Sequence, residues 1–484
     1  MENKNEMNLI LNFEESDKRK NYLFDATIES ELDEANSIKE DLVYKINENL
    51  STIKELTSEC DITDYALAAS SGALCGIIDI FLVGTPDNSV LENVTDEWCK
   101  EKVKLFAKMC GWNNTDSSDP FKSAIKFLEK EFPVPYDQTG MGEAGLQYLD
   151  LTPSNHHFKS LSHNSSLLGL FFSILDQFGE GDNNLAHFVS GGDLAIWVVP
   201  NGDFELRGKT LITKFIAACW NWLGHLISDQ AGSSSSKGRG AGIPSPLWTW
   251  TNDVIAIKKA LNLNTSEFDK AVNELALNIY TEGYDSRFQE AQAIPVIINE
   301  VIVRMLYSLR RAIRYFSKNK IERSFDVLWN ECEPFSNATV KRMLTVAHGT
   351  FCLIDLSDAT VSGFVKGGGT FNVKEFVLRL NLIGVGRFSI SLYGETKRNI
   401  NKKEIEKETH FLKQEKTIIE DYIEGLVILS ELYNDKELIN FVDDLKDSDL
   451  YKQAFSKSAL LAEKRNVPKD KILKNKSDID EYFE

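Results

Sequence analysis

The sequence has few features of a secreted or disulfide-stabilised protein. Its seven cysteines stand singly and form no CxxC pair, at positions 60, 75, 99, 110, 219, 332 and 352. An odd number of cysteines without metal-ligand spacing favours reduced thiols in a cytoplasmic environment. The N-terminal segment contains no apolar run followed by a small-residue cleavage site. We therefore expect no export signal.

Basic residues are in the minority. The chain has 54 Lys and Arg against 73 Asp and Glu, for a formal net charge of -19. This charge repels polyanions, so duplex nucleic acid is not an expected partner, and an anion could bind only at a local basic patch. Hydrophobic residues make up 42% of the chain, a composition typical of folded proteins.

Common catalytic and phosphate-binding motifs are missing as well. There is no GxSxG, no Cys/His catalytic signature and no helical carboxylate pair at useful spacing, so we predict no catalytic residues and no cofactor, and an enzyme is the less favoured class. The segment 232–242 has the wrong order for a phosphate-binding P-loop or a GxGxxG dinucleotide loop. It is either a flexible linker or a backbone nest that binds an anion together with Lys237 and Arg239.

Three histidines lie close together in the sequence. His156, His157 and His163 could in principle bind zinc through their imidazoles. Adjacent histidines in a helix or strand point in different directions, however, and no HExxH or cysteine pair accompanies them. The sequence therefore predicts no metal site.

The longest apolar run is Tyr65 to Val83, in which Asp79 is the only charged residue. A run of this length is close to what spans a bilayer core, and Gly72 and Gly76 form a GxxxG motif that lets helices pack closely. The run is either a membrane helix or a buried helix of a large soluble core. In lipid, Asp79 should face a partner or a polar interior.

A second apolar helix is predicted over Pro295 to Phe316. It carries an apolar stripe and four arginines on the other sides, namely Arg304, Arg310, Arg311 and Arg314. This face is a solvated surface paired with acidic groups, a basic membrane anchor, or a site for an anionic ligand. The segment Met343 to Val365 is again rich in small residues, and we expect its Asp355 to line the same polar interior as Asp79.

Other patterns set the predicted architecture. An amphipathic helix is expected over Glu31 to Glu59, and Asn201-Gly202 indicates a β-hairpin between Leu194–Val199 and Phe204–Leu206. We predict a mainly α, multi-helix, membrane-associated bundle with one small β-hairpin. The predicted segments are a helical arm (1–62), a first glycine-rich helical core (63–250), a second helical core (251–395) and a charged helical C-terminal segment (396–484).

Four segments carry a resemblance to other proteins, namely SSGALCGIIDIFLVG, HLISDQAGSSSS, AIPVIINEVIVR and TVAHGTFCLIDLSDA. Together they resemble a family of uncharacterised helical proteins from low-GC bacteria, over about residues 64 to 390, which implies no particular activity. In general character the chain also resembles the helical membrane effectors of bacterial antiphage systems, such as the channel effector of Hailong-type defence. That likeness rests on architecture, and no functional residue is carried across.

These observations lead to three functional hypotheses. The first is an oligomeric protein of the bacterial inner membrane that acts as a pore-forming or membrane-disrupting effector. Its partners would be membrane lipid, further copies of the chain and a nucleotide or oligonucleotide signal. The second is a cytoplasmic helical scaffold or adaptor. The third is an enzyme with an unrecognised site, at which the histidine loop and the glycine-serine loop converge.

Overall fold

The computed structural model describes most of the chain. The described residues are 18–86, 88–113, 118–137, 147–179, 184–199, 204–232, 242–318, 324–433, 435–437, 440, 451–474, 477, 478 and 481. The protein is mainly helical, at 76% helix, and within these ranges it has one two-stranded antiparallel sheet. The predicted helical fold class with one small hairpin is thereby confirmed.

The α-helices are numbered here in chain order. They are α1 (Lys18–Leu56), α2 (Ile62–Ile78, continued by a π-helical turn Asp79–Val83), α3 (Val90–Met109), α4 (Pro120–Glu131), α5 (His156–Lys159), α6 (Leu167–Gln177), α7 (Leu211–Asp229), α8 (Pro246–Ala260), α9 (Glu267–Thr281), α10 (Ser286–Lys318), α11 (Phe325–Cys332), α12 (Ala338–Lys366), α13 (Val373–Arg379), α14 (Leu382–Tyr433) and α15 (Tyr451–Lys464). Short 3-10 turns cover Leu161–His163 and Lys469–Lys471.

The hairpin consists of β1 (Leu185–Ser190) and β2 (Asp193–Val198), with Ala186 opposite Trp197. The predicted strand 194–199 is thus real, but it pairs with the strand before it. The predicted partner Phe204–Leu206 forms no strand, and the proposed turn at 200–203 lies outside the described residues. Gly191 and Gly192 make the observed turn with φ of 59° and 75°, a backbone region that glycine adopts without steric cost.

The chain divides into two compact units. One unit comprises 1–57 with 398–484, and the other comprises 58–397. In the first unit α1 packs along the later part of α14, where Lys39 Nζ lies 3.2 Å from a carboxylate oxygen of Glu420. The four-segment division made from the sequence stays a prediction.

The second unit is built on a bundle of α2, α10 and α12. Its buried interior contains small and medium side chains from all three helices, among them Ala68, Val303, Met343 and Ala347. α2 begins with a capping box, in which Asp61 accepts from the Asp64 amide and Asp64 accepts from the Asp61 amide. These reciprocal bonds satisfy backbone donors that the first helical turn leaves unpaired.

Beside this bundle, α5, α6, α7 and β1 enclose a polar interior that includes several buried histidines. α7 packs on α6 and α4, and its Gly224 lies against the ring of Phe132. A Cβ at Gly224 would come within 2.3 Å of that ring, so the glycine allows α7 to approach closely. The polar face of α7 is thereby held against the 156–163 segment.

Candidate functional site

Gly72 and Gly76 lie at the contact between α2 and α12. A Cβ on Gly72 would sit 2.1 Å from the carbonyl oxygen of Ala347, and one on Gly76 would sit 3.0 Å from Cγ2 of Ile354. The GxxxG face is therefore filled by a helix of the same chain, and the close approach it allows builds the subunit itself. That the glycines join separate copies stays a prediction.

Asp79 and Asp355 lie side by side in the interior of the same unit, and both are buried. Asn381, which sequence reasoning missed, joins them: its side-chain amide donates to Asp79 and its backbone amide donates to Asp355 over 2.9 Å. The Asn381 amide also donates to the Gln292 carbonyl over 3.0 Å, which ties α10 to this node.

The predicted basic patch on α10 is engaged within the chain. Arg310 donates to both Asp61 and Asp64, and Arg314 donates to Asp61. These bonds, above all those from Arg310, hold the pKa of Asp61 well below its usual range. Arg311 donates to Asp64 as well.

Arg304 is also engaged within the chain, through Glu300 and the Pro334 carbonyl. All four arginines are therefore paired with acidic groups of the same chain, as in the first of the three interpretations of this face. A role in ligand binding stays a prediction. Lys237 and Arg239 lie outside the described residues.

An exposed apolar surface covers the outside of the bundle. On α10 it consists of Ile297, Val301, Met305, Leu309 and Ile313, which recur every fourth residue and so lie on one face. Met305 is 66% exposed and Leu309 60% exposed. We call this row together with its neighbours the outer apolar surface; the neighbours are Leu74, Ile77 and Phe81 of α2 and Leu353, Leu356 and Phe364 of α12.

Two helices of the described chain are long and apolar enough to cross a membrane. They are Ile62–Val83 and Ser286–Ser317, and a bent pair, Val373–Arg379 with Leu382–Leu432, passes the same test of length and composition. The apolar stripe that the sequence predicts on this helix consists of Ile298, Ile302, Met305, Leu306, Leu309 and Ile313. Ile298, Ile302 and Leu306 are half-buried in the structure, whereas Met305, Leu309 and Ile313 are exposed.

A cluster of imidazoles and one carboxylate lies at the other side of the unit. We name it the imidazole cluster: His157 of α5, His163 at the end of the following 3-10 turn, and His225 and Asp229, one helical turn apart on α7. All four residues are buried.

The Asp229 Oδ2 atom lies close to all three rings of the imidazole cluster. Its distance to Nε2 is 3.5 Å for His157, 3.6 Å for His163 and 3.2 Å for His225. The Nε2 atoms of His163 and His225 are 3.1 Å apart. One carboxylate oxygen and three ring nitrogens therefore converge on the same small volume.

The backbone fixes which ring nitrogens face the cluster. His157 Nδ1 lies 3.4 Å from the Gly242 carbonyl, and His156 Nδ1 lies 3.2 Å from the Thr152 carbonyl. A carbonyl only accepts, so each Nδ1 is the protonated nitrogen and each neutral ring presents a lone pair at Nε2. The Gly242 contact also brings the end of the glycine-serine segment to the histidines, which is the convergence considered from the sequence.

Burial determines the charge state of these groups. It lowers the pKa of His156 to about 3 and that of His157 to about 4, and it lowers the pKa of His163 well below the usual range, with neighbouring imidazoles adding to the effect. Burial likewise raises the pKa of Asp229. His156, His157 and His163 are consequently neutral at physiological pH, which is the protonation state of a metal ligand.

The wall around the cluster is polar and well ordered. The Tyr136 ring packs edge-on against His163 and His225, with ring centroids 5.3 and 5.7 Å away, and its hydroxyl lies 3.0 Å from Ser173 Oγ. Asp176 accepts from the Ser162 hydroxyl over 2.6 Å. Of these neighbours, Tyr136 is the one that packs directly on cluster rings.

Sequence reasoning missed His225 and Asp229. Their spacing on α7, a His and an Asp separated by one helical turn, is a signal for two ligands on one face, but it is common by chance. Of the adjacent pair His156 and His157, only His157 lies at Asp229 Oδ2, and the next ring of the cluster comes from His163. α5 is a single turn that ends in extended backbone at Ser160, and the chain then brings His163 back to within 4.7 Å of the His157 ring, centroid to centroid.

Comparisons with protein families, with curated proteins and with solved structures each found no match for this chain.

Proposed function

We propose that this chain works at a bacterial membrane, into which the bundle of α2, α10 and α12 inserts through its outer apolar surface. The observation that carries the proposal is the exposed row from Ile297 to Ile313 on α10. At 1.5 Å per residue this row is about 24 Å long, close to the roughly 30 Å of a bilayer's hydrocarbon core. Continuous apolar surface of this kind in contact with water is costly, and lipid removes the cost.

The charges of α10 support this placement. Four of its arginines each have a carboxylate partner in the same chain, at Glu300, Asp61 or Asp64; they are Arg304, Arg310, Arg311 and Arg314. Pairing lowers the cost of holding charge beside hydrocarbon, and the pairs at Asp61 and Asp64 lie at the start of α2. These four arginines are therefore directed at carboxylates, while the row from Ile297 to Ile313 is directed outward.

The finer proposal is an oligomeric pore-forming or membrane-disrupting effector at the inner membrane, acting in antiphage defence. Asp79, Asp355 and Asn381 support it by placing polar groups inside the bundle. Because the Gly72 face is occupied within the chain, copies would meet on the outer apolar surface. A nucleotide or oligonucleotide signal that triggers the effector remains part of this proposal.

Vesicle flotation tests the membrane proposal directly. The full-length chain is mixed with vesicles of phosphatidylethanolamine and phosphatidylglycerol and centrifuged through a density gradient. We expect the wild type to float with lipid and the double variant Met305→Glu/Leu309→Glu to remain at the bottom. The control is Phe268→Glu on α9, which introduces a single glutamate at a residue that is 75% exposed and lies outside the outer apolar surface.

The outcomes separate the functional classes. A wild-type chain that stays in the soluble fraction, monomeric and without vesicles, contradicts membrane insertion and favours the scaffold or adaptor. Flotation without release of a trapped dye from the vesicles supports membrane association and contradicts pore formation by the chain alone. Flotation that persists in the double variant but is lost in Phe268→Glu removes the outer apolar surface as the lipid contact.

A further inference from the structure

The imidazole cluster has the geometry of a metal site, and this inference does not depend on membrane insertion. Ligands of a tetrahedral zinc ion lie 2.0 to 2.2 Å from the metal, which places the ligand atoms roughly 3.3 Å from one another. Around Asp229 Oδ2 the observed separations are 3.2, 3.5 and 3.6 Å, and His163 and His225 are 3.1 Å apart. Four of the six edges of the expected tetrahedron therefore have suitable lengths, and His157, His163 and Asp229 each offer a ligand atom within 4.8 Å of the other two.

The carboxylate supplies a second, independent observation. Asp229 is buried, and its Oδ2 accepts no hydrogen bond from any residue in the described ranges. The three ring nitrogens lie near it without pointing a hydrogen at it. A buried carboxylate oxygen without a donor costs free energy, and a cation bound at the point where the lone pairs converge removes that cost.

The arrangement of the His163 and His225 rings also favours a bound cation. Their Nε2 atoms are 3.1 Å apart, so the two rings either share one proton or present two lone pairs to a common cation. Imidazole nitrogen with one carboxylate is a ligand set that suits Zn²⁺ and neighbouring divalent transition metals.

We propose that His157, His163, His225 and Asp229 bind one divalent transition metal ion of the zinc class in a closed, four-ligand structural site. Three imidazoles and a carboxylate complete the coordination with protein atoms, as in structural sites, and leave no position for a substrate. The ion would tie the 156–163 segment to α7. The site revises the sequence prediction that no metal binds here.

The test is a metal titration of the full-length chain, purified without a polyhistidine tag and treated with chelator. Zn²⁺ content is measured by mass spectrometry of the metal after gel filtration, and Co²⁺ serves as a spectroscopic probe of tetrahedral geometry. We expect one Zn²⁺ per chain, intense visible Co²⁺ bands, and a higher thermal midpoint with metal than without it. We expect His225→Gln and Asp229→Asn each to weaken metal binding by at least about tenfold.

The matched control is His156→Gln. Its ring is adjacent to the cluster but makes no contact with Asp229 Oδ2 among the ion-pair distances above, so metal content and Co²⁺ bands should stay as in the wild type. A folded wild-type chain that carries no metal at saturating Zn²⁺ overturns the proposal without any variant. Metal binding that is unchanged in both His225→Gln and Asp229→Asn overturns the assignment of ligands.

Discussion

Gly72 of α2 and Ala347 of α12 approach so closely that a Cβ on the glycine would lie 2.1 Å from the alanine carbonyl oxygen. No side chain fits between the two backbones. The contact therefore makes the GxxxG motif a requirement for the fold of one subunit, and it fixes which faces of α2 and α12 remain outside. The faces of α2 and α12 that take no part in this contact carry the residues that these helices contribute to the outer apolar surface.

Gly72→Ala should destabilise the bundle although alanine is the better helix former. The intrinsic gain of about 1 kcal/mol is outweighed by overpacking, for a net loss of about 2 kcal/mol. The control is Gly386→Ala on α14, where a Cβ would meet nothing within 4 Å, so the same change should be neutral or stabilising. Thermal unfolding followed by circular dichroism measures both, and equal midpoints for the two variants would contradict the close contact.

Arg310→Ala should lower the free energy of unfolding by about 3 kcal/mol, because it removes the main partner of the buried Asp64 carboxylate. Arg207→Ala breaks an ion pair with Glu131 in which both side chains are largely exposed, and it should cost less than about 1 kcal/mol. Chemical denaturation of the two variants compares a buried and an exposed arginine. Similar losses would show that Asp64 does not depend on Arg310.

Cys99 should resist alkylation in the folded chain. Burial and the nearby Glu290 carboxylate raise the pKa of its thiol to about 12, so only about one molecule in ten thousand carries the reactive thiolate at pH 8. Iodoacetamide labelling followed by peptide mass spectrometry measures the modified fraction. We expect little modification at pH 8 in the native chain and complete modification in urea; rapid labelling of the native chain would mean that α3 is not packed as described.

The helices could be predicted because their patterns are local. The apolar run 65–83 lies within α2 and its π-helical turn, and the segment Met343 to Val365 lies within α12. What periodicity could not show is which apolar residues of α10 face inward. The helix is apolar on more than one side, so Val303 and Tyr307 enter the core while Met305 and Leu309 stay outside.

The hairpin was placed one strand too late for a different reason. β1 is buried at its four central positions, so its sequence lacks the alternation of apolar and polar residues that marks a half-exposed strand. The Asn201-Gly202 pair then gave the stronger turn signal, although Gly191-Gly192 makes the turn.

The imidazole cluster depends on long-range packing. His163 and His225 are 62 residues apart, and they meet because Gly224 lets α7 approach Phe132. A single sequence gives no indication of such a pairing. The same holds for Asn381, which reaches Asp79 across 302 residues.

The most direct measurement of the membrane account is photolabelling of the full-length chain in vesicles with a diazirine reagent that partitions into lipid. Peptide mapping should find the label on the row from Ile297 to Ile313 and on Phe81, and little on the equally exposed Phe268. Labelling of Phe268 at the level of Met305 and Leu309, or no label on α10, would contradict the contact between the outer apolar surface and lipid.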